Sequence, residues 1–208
     1  MGLTIGILLA GGRSSRIGGG DKCLRLLGGQ SLLARAIARA RPQVDELILN
    51  ANGDPARFAA AGLITIPDMI EGHAGPLAGI LSGLEWARAQ RPQCEFMISF
   101  ASDSPFFPGD LAARLVQTAK QHGTPLACAA SGGRMHPVFG LWPVALMDDL
   151  RRALIEENIR KVDAWTARHG AALAEYDAQP FDPFFNINTE ADLAQAEHIL
   201  GSQRGLAS

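Results

Sequence analysis

An α/β fold is predicted, a single Rossmann-like, doubly wound and mostly parallel sheet with a small antiparallel insertion in its C-terminal half. Three observations point to it. Short apolar runs alternate with helical patterns as far as residue 130, the alternation breaks at a turn signal after Ser131, and 208 residues at 47% hydrophobic suit one α/β domain.

The elements follow in order. Thr4–Ala10 is apolar enough for a strand buried on both faces, and Leu32–Arg41 has helical periodicity. Glu46–Asn50 reads as a strand, Pro55–Ala61 as helical, Leu63–Ile66 as a strand and Leu77–Ala89 as a helix. Phe96–Ala101 and Leu126–Ala130 are strands around a helix at Pro108–His122. Ser131-Gly132-Gly133-Arg134 is a turn, and Val138–Trp142 follows too closely for a crossover helix, so it runs antiparallel. Pro143 opens a helix toward Glu157, Val162–His169 is another, and Ala171–Tyr176 is a late strand. Thr189 caps a last helix through Leu200, with Asp192 at its third position.

Charge and cysteine usage exclude several classes. Lys and Arg number 19 against 21 Asp and Glu, for a net charge of −2 without a run of five like charges, so no nucleic-acid partner is expected. No apolar stretch approaches the roughly 18 residues of a membrane span, and Met1–Leu9 lacks the charged start of a secretory signal, which together predict a cytoplasmic chain without a membrane partner. Cys23, Cys94 and Cys128 form no Cys-x-x-Cys and read as small buried hydrophobes, and the five histidines lack zinc-ligand spacing.

The chemistry is written where the first strand stops. Ile7–Ala10 breaks into Gly11-Gly12-Arg13-Ser14-Ser15-Arg16-Ile17-Gly18-Gly19-Gly20-Asp21-Lys22. Glycines let backbone N–H groups approach an anion, and Arg13, Arg16 and Lys22 supply countercharge, so the stretch reads as a phosphate cradle. A cation about 4 Å from a phosphate charge is worth on the order of 4 kcal/mol at a dielectric near 20, before desolvation. A dinucleotide fingerprint needs Gly-x-Gly-x-x-Gly, and Gly11-Gly12-Arg13-Ser14-Ser15-Arg16 does not fit it.

Other apolar runs end in Asn50, in Asp68 and in Ser102-Asp103. In an open parallel sheet the ligand crevice lies outside the carboxyl ends of the strands, so these ends and the glycine loop should converge. Asp103 is the metal candidate, a hard carboxylate suited to Mg²⁺ that is also bound by phosphate oxygens; it equally suits an Asx turn leading to Pro105. Asp68 reads as a turn residue or as a contact for a nucleotide or the metal shell, and Asn50 as a loop brace or part of the same contact. Gly75 precedes the Leu77–Ala89 helix, and Gly79 and Gly83 lie within it. They read either as close packing against the sheet or as a helix N-terminus offering N–H groups to a base or phosphate. His136 suggests a general base or a structural histidine.

Leu9-Ala10-Gly11-Gly12, Arg16, Gly18-Gly19, Asp21-Lys22, Asn50, Asp68, Gly75-Pro76-Leu77-Ala78-Gly79, Asp103-Ser104-Pro105 and Asn186-Ile187-Asn188-Thr189 together resemble the molybdenum cofactor guanylyltransferases, in the same order from about Thr4 to Leu200. The resemblance implies transfer of GMP from GTP to the phosphate of molybdenum-molybdopterin, with Mg²⁺, giving the guanine dinucleotide cofactor and pyrophosphate. It implies GTP contacts at Leu9, Ala10, Gly11, Gly12, Lys22, Asn50, Asp68, Gly75, Gly79 and Asp103, with the metal on Asp103 and Arg16 facing the triphosphate. Gly12 is often Ala in cytidylyl and uridylyl relatives, which tilts the base toward guanine. Asn186 and Asn188 would lie near the pterin, as would Arg160 and Lys161. Residues 1–105 would serve mainly the nucleotide and 131–190 mainly the acceptor, in one domain over 1–208. Cofactor insertion and delivery proteins would be its protein partners. The alternatives are a cytidylyltransferase of the same pterin, a sugar or isoprenoid phosphate nucleotidyltransferase, or a non-catalytic nucleotide sensor.

Overall fold

The computed structural model of the protein describes residues 2–10, 21–70 and 75–205. β1 (Ile5–Leu9) alternates its side chains between two apolar layers, Ile5 and Ile7 toward one and Leu8 toward the other. β2 (Leu26–Leu27) and β3 (Gln30–Ser31) form a hairpin absent from the expectations above. Its two-residue turn, Gly28-Gly29, has positive φ at both positions, which glycine adopts without a Cβ clash. Ser31 then caps α1 (Leu32–Ala40), its hydroxyl accepting from the Ala34 N–H at 3.1 Å.

β4 (Glu46–Asn50) and β5 (Ile64–Ile66) flank Pro55–Ala61, which is a 3-10 helix rather than an α-helix. Asp54 caps it, Gly62 stops it after seven residues, and Phe58 alone is buried along it, so no apolar face long enough for α-helical packing develops. α2 (Pro76–Gln90) leads to β6 (Phe96–Ala101) and α3 (Leu111–His122). α3 begins three residues later than Pro108 because Gln43 caps it from another segment, accepting from the Ala112 N–H at 3.0 Å and donating to the Pro108 carbonyl at 3.0 Å.

β7 (Leu126–Ser131) and β8 (Arg134–Pro143) are joined through Gly132 and Gly133, so β8 starts four residues before Val138. α4 (Met147–Ile155), α5 (Val162–His169), β9 (Ala171–Tyr176) and α6 (Glu190–Gly205) complete the chain. At the start of α6 the Asp192 N–H donates to the Thr189 hydroxyl at 3.1 Å, and Asp192 Oδ2 accepts from the Thr189 N–H at 2.8 Å, a reciprocal cap.

Seven strands make one sheet in the order β5-β4-β1-β6-β8-β7-β9. The expected antiparallel element is β8, inserted between β6 and β7; every other pairing in the sheet is parallel. α1 and α3 pack on one face and α2, α4 and α5 on the other, as a doubly wound sheet requires. α6 closes a smaller cluster with Leu27, Phe106 and Ile187, which ties the β2–β3 hairpin to the C-terminal segment. Among the described residues no helix is long and apolar enough to cross a membrane.

Candidate active site

The register of the sheet levels four strand ends. Leu9 pairs with Asn50 on one side and with Ala101 on the other, and Asn50 pairs with Ile66. The residues just beyond this row bond across it: Ala10 N–H to the Asn50 carbonyl at 2.9 Å, Ala51 N–H to Ile66 at 3.0 Å, and the Ser102 hydroxyl to the Leu9 carbonyl at 2.8 Å. Leu9, Ala10, Asn50, Asp68 and Asp103 therefore share one rim. β1 has β4 on one side and β6 on the other, the reversal of strand order at which open α/β sheets hold ligands.

At the β6 end of this rim, Lys22 Nζ lies 2.5 Å from Asp103 Oδ2, 2.5 Å from Asn188 Oδ1 and 3.1 Å from Asn186 Oδ1. Lys22 opens a short 3-10 turn anchored by buried Cys23, whose thiol is pushed up to about 11 by burial and then by the charges of Asp21 and Asp103. That thiol stays protonated and packs as a hydrophobe, as do the buried Cys94 and Cys128. The Ile187 N–H donates to the Asp103 carbonyl at 3.0 Å, which holds Asn186 and Asn188 beside Asp103, and the Asn188 N–H donates to Asp192 at 2.8 Å. The cap of α6 thus orients the asparagines. One carboxylate and two amide oxygens converge on one cation, a hard-oxygen donor set that fits Mg²⁺.

At the β4 end, Asn50 Nδ2 donates to Asp68 Oδ1 at 3.0 Å and to the Ile66 carbonyl at 3.3 Å. Asn52 grips the same carboxylate at 2.7 Å and accepts from the Asp68 N–H at 2.8 Å. Gly79 meets this cluster from α2: a Cβ there would lie 2.2 Å from Asn50 Oδ1, while one on Gly83 would lie 2.5 Å from Ile7 Cδ1. Close packing therefore accounts for both glycines. Gly75, the N-cap of α2, lies against the Arg160 backbone, with its would-be Cβ 3.7 Å from that carbonyl. Arg160 is nonetheless turned to the Leu154 carbonyl at 3.0 Å, and Lys161 is the N-cap of α5.

His136 belongs to a closed network. The Ser131 hydroxyl lies 2.7 Å from His136 Nε2 and 2.7 Å from Asp182 Oδ1, and the imidazole stacks on Phe184 at 4.8 Å. Burial, only partly opposed by Asp182, holds the imidazole below its ordinary pKa. The hydroxyl is buried and spent on two partners, so the trio braces the loop that leads to Asn186 rather than presenting a nucleophile.

Gly11, Gly12, Arg13 and Arg16 lie outside the described residues. Asn52 and Arg57 were missed in the sequence. A signal existed for Asn52 in the pair of asparagines closing one strand, whereas Arg57 gave none, because its partner Asp21 is 36 residues away.

Comparison with known proteins decides the family. Residues 6–173 match the model of the MobA-like NTP transferase domain. The chain belongs to the MobA-like NTP transferases. Within that family it is 56% identical over 194 residues to the molybdenum cofactor guanylyltransferase of Bradyrhizobium sp. (strain ORS 278), covering 93% of this chain and 92% of the relative. It is 56% identical over 196 residues to that of Rhodopseudomonas palustris (strain BisB5), covering 94% and 93%. The crystal structure of molybdopterin-guanine dinucleotide biosynthesis protein A from Archaeoglobus fulgidus superposes with a TM-score of 0.73 over 95% of this chain and 99% of that one, at 23% identity, and shows the same fold.

Proposed function

We propose that this NTP transferase moves GMP from GTP to the phosphate of molybdenum-molybdopterin and releases pyrophosphate. The observation that carries this is the meeting of Lys22 with Asp103, 81 residues apart, at the carboxyl rim of the sheet. The 56% identical guanylyltransferases supply the substrate class.

An acceptor phosphate oxygen forms a bond to the α-phosphorus of GTP as the bond to the β-phosphate bridge oxygen breaks, and pyrophosphate carries away the electron pair. A phosphate monoester is largely ionised near neutral pH, so the acceptor needs alignment rather than a strong base. That suits a site whose half-buried histidine is committed to bracing. Asp103, with Asn186 and Asn188, would hold Mg²⁺, which when bound neutralises charge on the phosphate oxygens. Lys22, now inside the oxygen cage, would turn to the polyphosphate with Arg16 and stabilise the leaving pyrophosphate. Leu9, Ala10, Gly11 and Gly12 would offer backbone amides, and Asn50 and Asp68 would contact the nucleoside, with Gly75 and Gly79 shaping the wall. Residues 131–190 would face the acceptor, with Asn186 and Asn188 at the junction of the two substrates. The setting would be the cytoplasm, with cofactor insertion and delivery proteins as partners.

Pyrophosphate release tests this reading with Mg²⁺, molybdenum-molybdopterin and either GTP or CTP. Release is expected with GTP and the pterin together, and not with CTP. Equal release with CTP, or release independent of the pterin, would overturn it.

A further inference from the structure

The two ends of the rim are joined by an arginine, Arg57, that bonds to Asp21 on one side and to the Asn52 backbone on the other. Arg57 projects from the 3-10 helix Pro55–Ala61, its guanidinium 5.0 Å over the ring of buried Phe58. Nη1 lies 2.5 Å from Asp21 Oδ2, Nη2 donates to the Asn52 carbonyl at 2.5 Å, and Nε donates to the Asp54 carbonyl at 3.1 Å. Gly53 makes room for the fork, since a Cβ there would come within 3.0 Å of Nη2.

What the fork does follows from its neighbours. Asp21 immediately precedes Lys22, yet the ammonium bonds to Asp103 and the two asparagines and leaves Asp21 to Arg57. The Asp21 carboxylate is mostly shielded from water, at 19% side-chain exposure. Unpaired, it would be a fixed negative charge beside the cation meant for a polyphosphate, where reduced solvent screening strengthens repulsion. On its other side Arg57 holds the backbone of Asn52, the residue that grips Asp68.

We infer that Arg57 is a positioning residue of the nucleotide site: it neutralises Asp21, so that Lys22 faces an incoming polyphosphate without a competing carboxylate at its side. The inference rests on the proposed polyphosphate site, but it concerns charge and is not tied to guanine.

The test is calorimetric binding of three probes, MgGTP, GMP and inorganic tripolyphosphate, to the full chain and to four variants. Arg57→Gln puts its amide nitrogen where Nε meets the Asp54 carbonyl, and loses the charge together with the bond to the Asn52 carbonyl. It should weaken MgGTP and tripolyphosphate about tenfold and GMP less than threefold. Arg57→Lys keeps the charge and should stay within threefold of the parent. Asp21→Asn alone should leave tripolyphosphate within about twofold, and Asp21→Asn combined with Arg57→Gln should restore it to within threefold of the parent. A merely structural arginine would not be rescued by removing the charge it pairs with, so a double variant as weak as Arg57→Gln overturns the inference, as does equal weakening of GMP. A parent chain that binds tripolyphosphate but neither guanine nucleotide would remove the proposed function while leaving the Arg57 comparison readable.

Discussion

Two polar clusters stand on the carboxyl rim of the sheet, and they differ in what holds them. Lys22, Asp103, Asn186 and Asn188 are bonded mainly to one another, through side-chain atoms that a phosphate or a metal could replace. Ser131, His136 and Asp182 are committed to buried partners: the Phe184 ring lies against the imidazole, and Asp182 Oδ1 also accepts from the Phe184 N–H at 2.9 Å. By composition the second cluster looks more catalytic. Its geometry says the reverse, because a group whose partners are fixed cannot exchange them for substrate without leaving a buried polar atom unsatisfied.

The sharpest way to break that contrast is Asp103→Ala. Turnover is expected to fall at least ~10²-fold, the scale of losing one preorganised electrostatic group. Near-normal turnover would remove Asp103 from the mechanism. Lys22→Ala comes next, with polyphosphate affinity lowered at least ~10-fold and folding retained, given the on the order of 4 kcal/mol that such a cation offers before desolvation. Unchanged calorimetric binding would count against the cradle. Gly79→Ala drives a methyl into Asn50 Oδ1, so a melting scan should show about 1–3 kcal/mol of lost stability together with weaker GTP binding. A variant as stable as the parent would mean that α2 has room to shift.

The bracing cluster should respond differently. His136→Gln is expected to leave turnover within about threefold, while truncating a partner in a buried network costs about 1–3 kcal/mol of stability. A hundredfold loss of turnover would make His136 a participant. Its pH signature has a definite sign. Burial lowers the His136 pKa in the folded state below the unfolded 6.5, so stability is fully present above 6.5 and is lost as pH falls through the lowered value. Denaturant midpoints of the parent should fall across that window, and those of the Gln variant should fall less.

Much of this arrangement is legible along the chain. The alternation of apolar runs and helical patterns is enough to place β1, β4, β6 and β7 close to their true bounds, because a strand buried on two faces leaves few other ways to be apolar for five or six residues. Asn50, Asp68 and Asp103 are visible as polar residues just where such runs stop. The Gly28-Gly29 hairpin is marked only by its two glycines, because its strands of two residues each are too short to show an alternating pattern.

By itself the sequence determined the layers, the rim and the residue types that line it, since periodicity and turn chemistry act over a few residues and need no partner. Only the tertiary structure decided which of those residues meet. Lys22 reaches Asn188 across 166 positions, Arg57 reaches Asp21 across 36, and β8 enters the sheet between β6 and β7. Such contacts depend on the closure of long loops and on the register of packed strands, and no local preference in the chain encodes either.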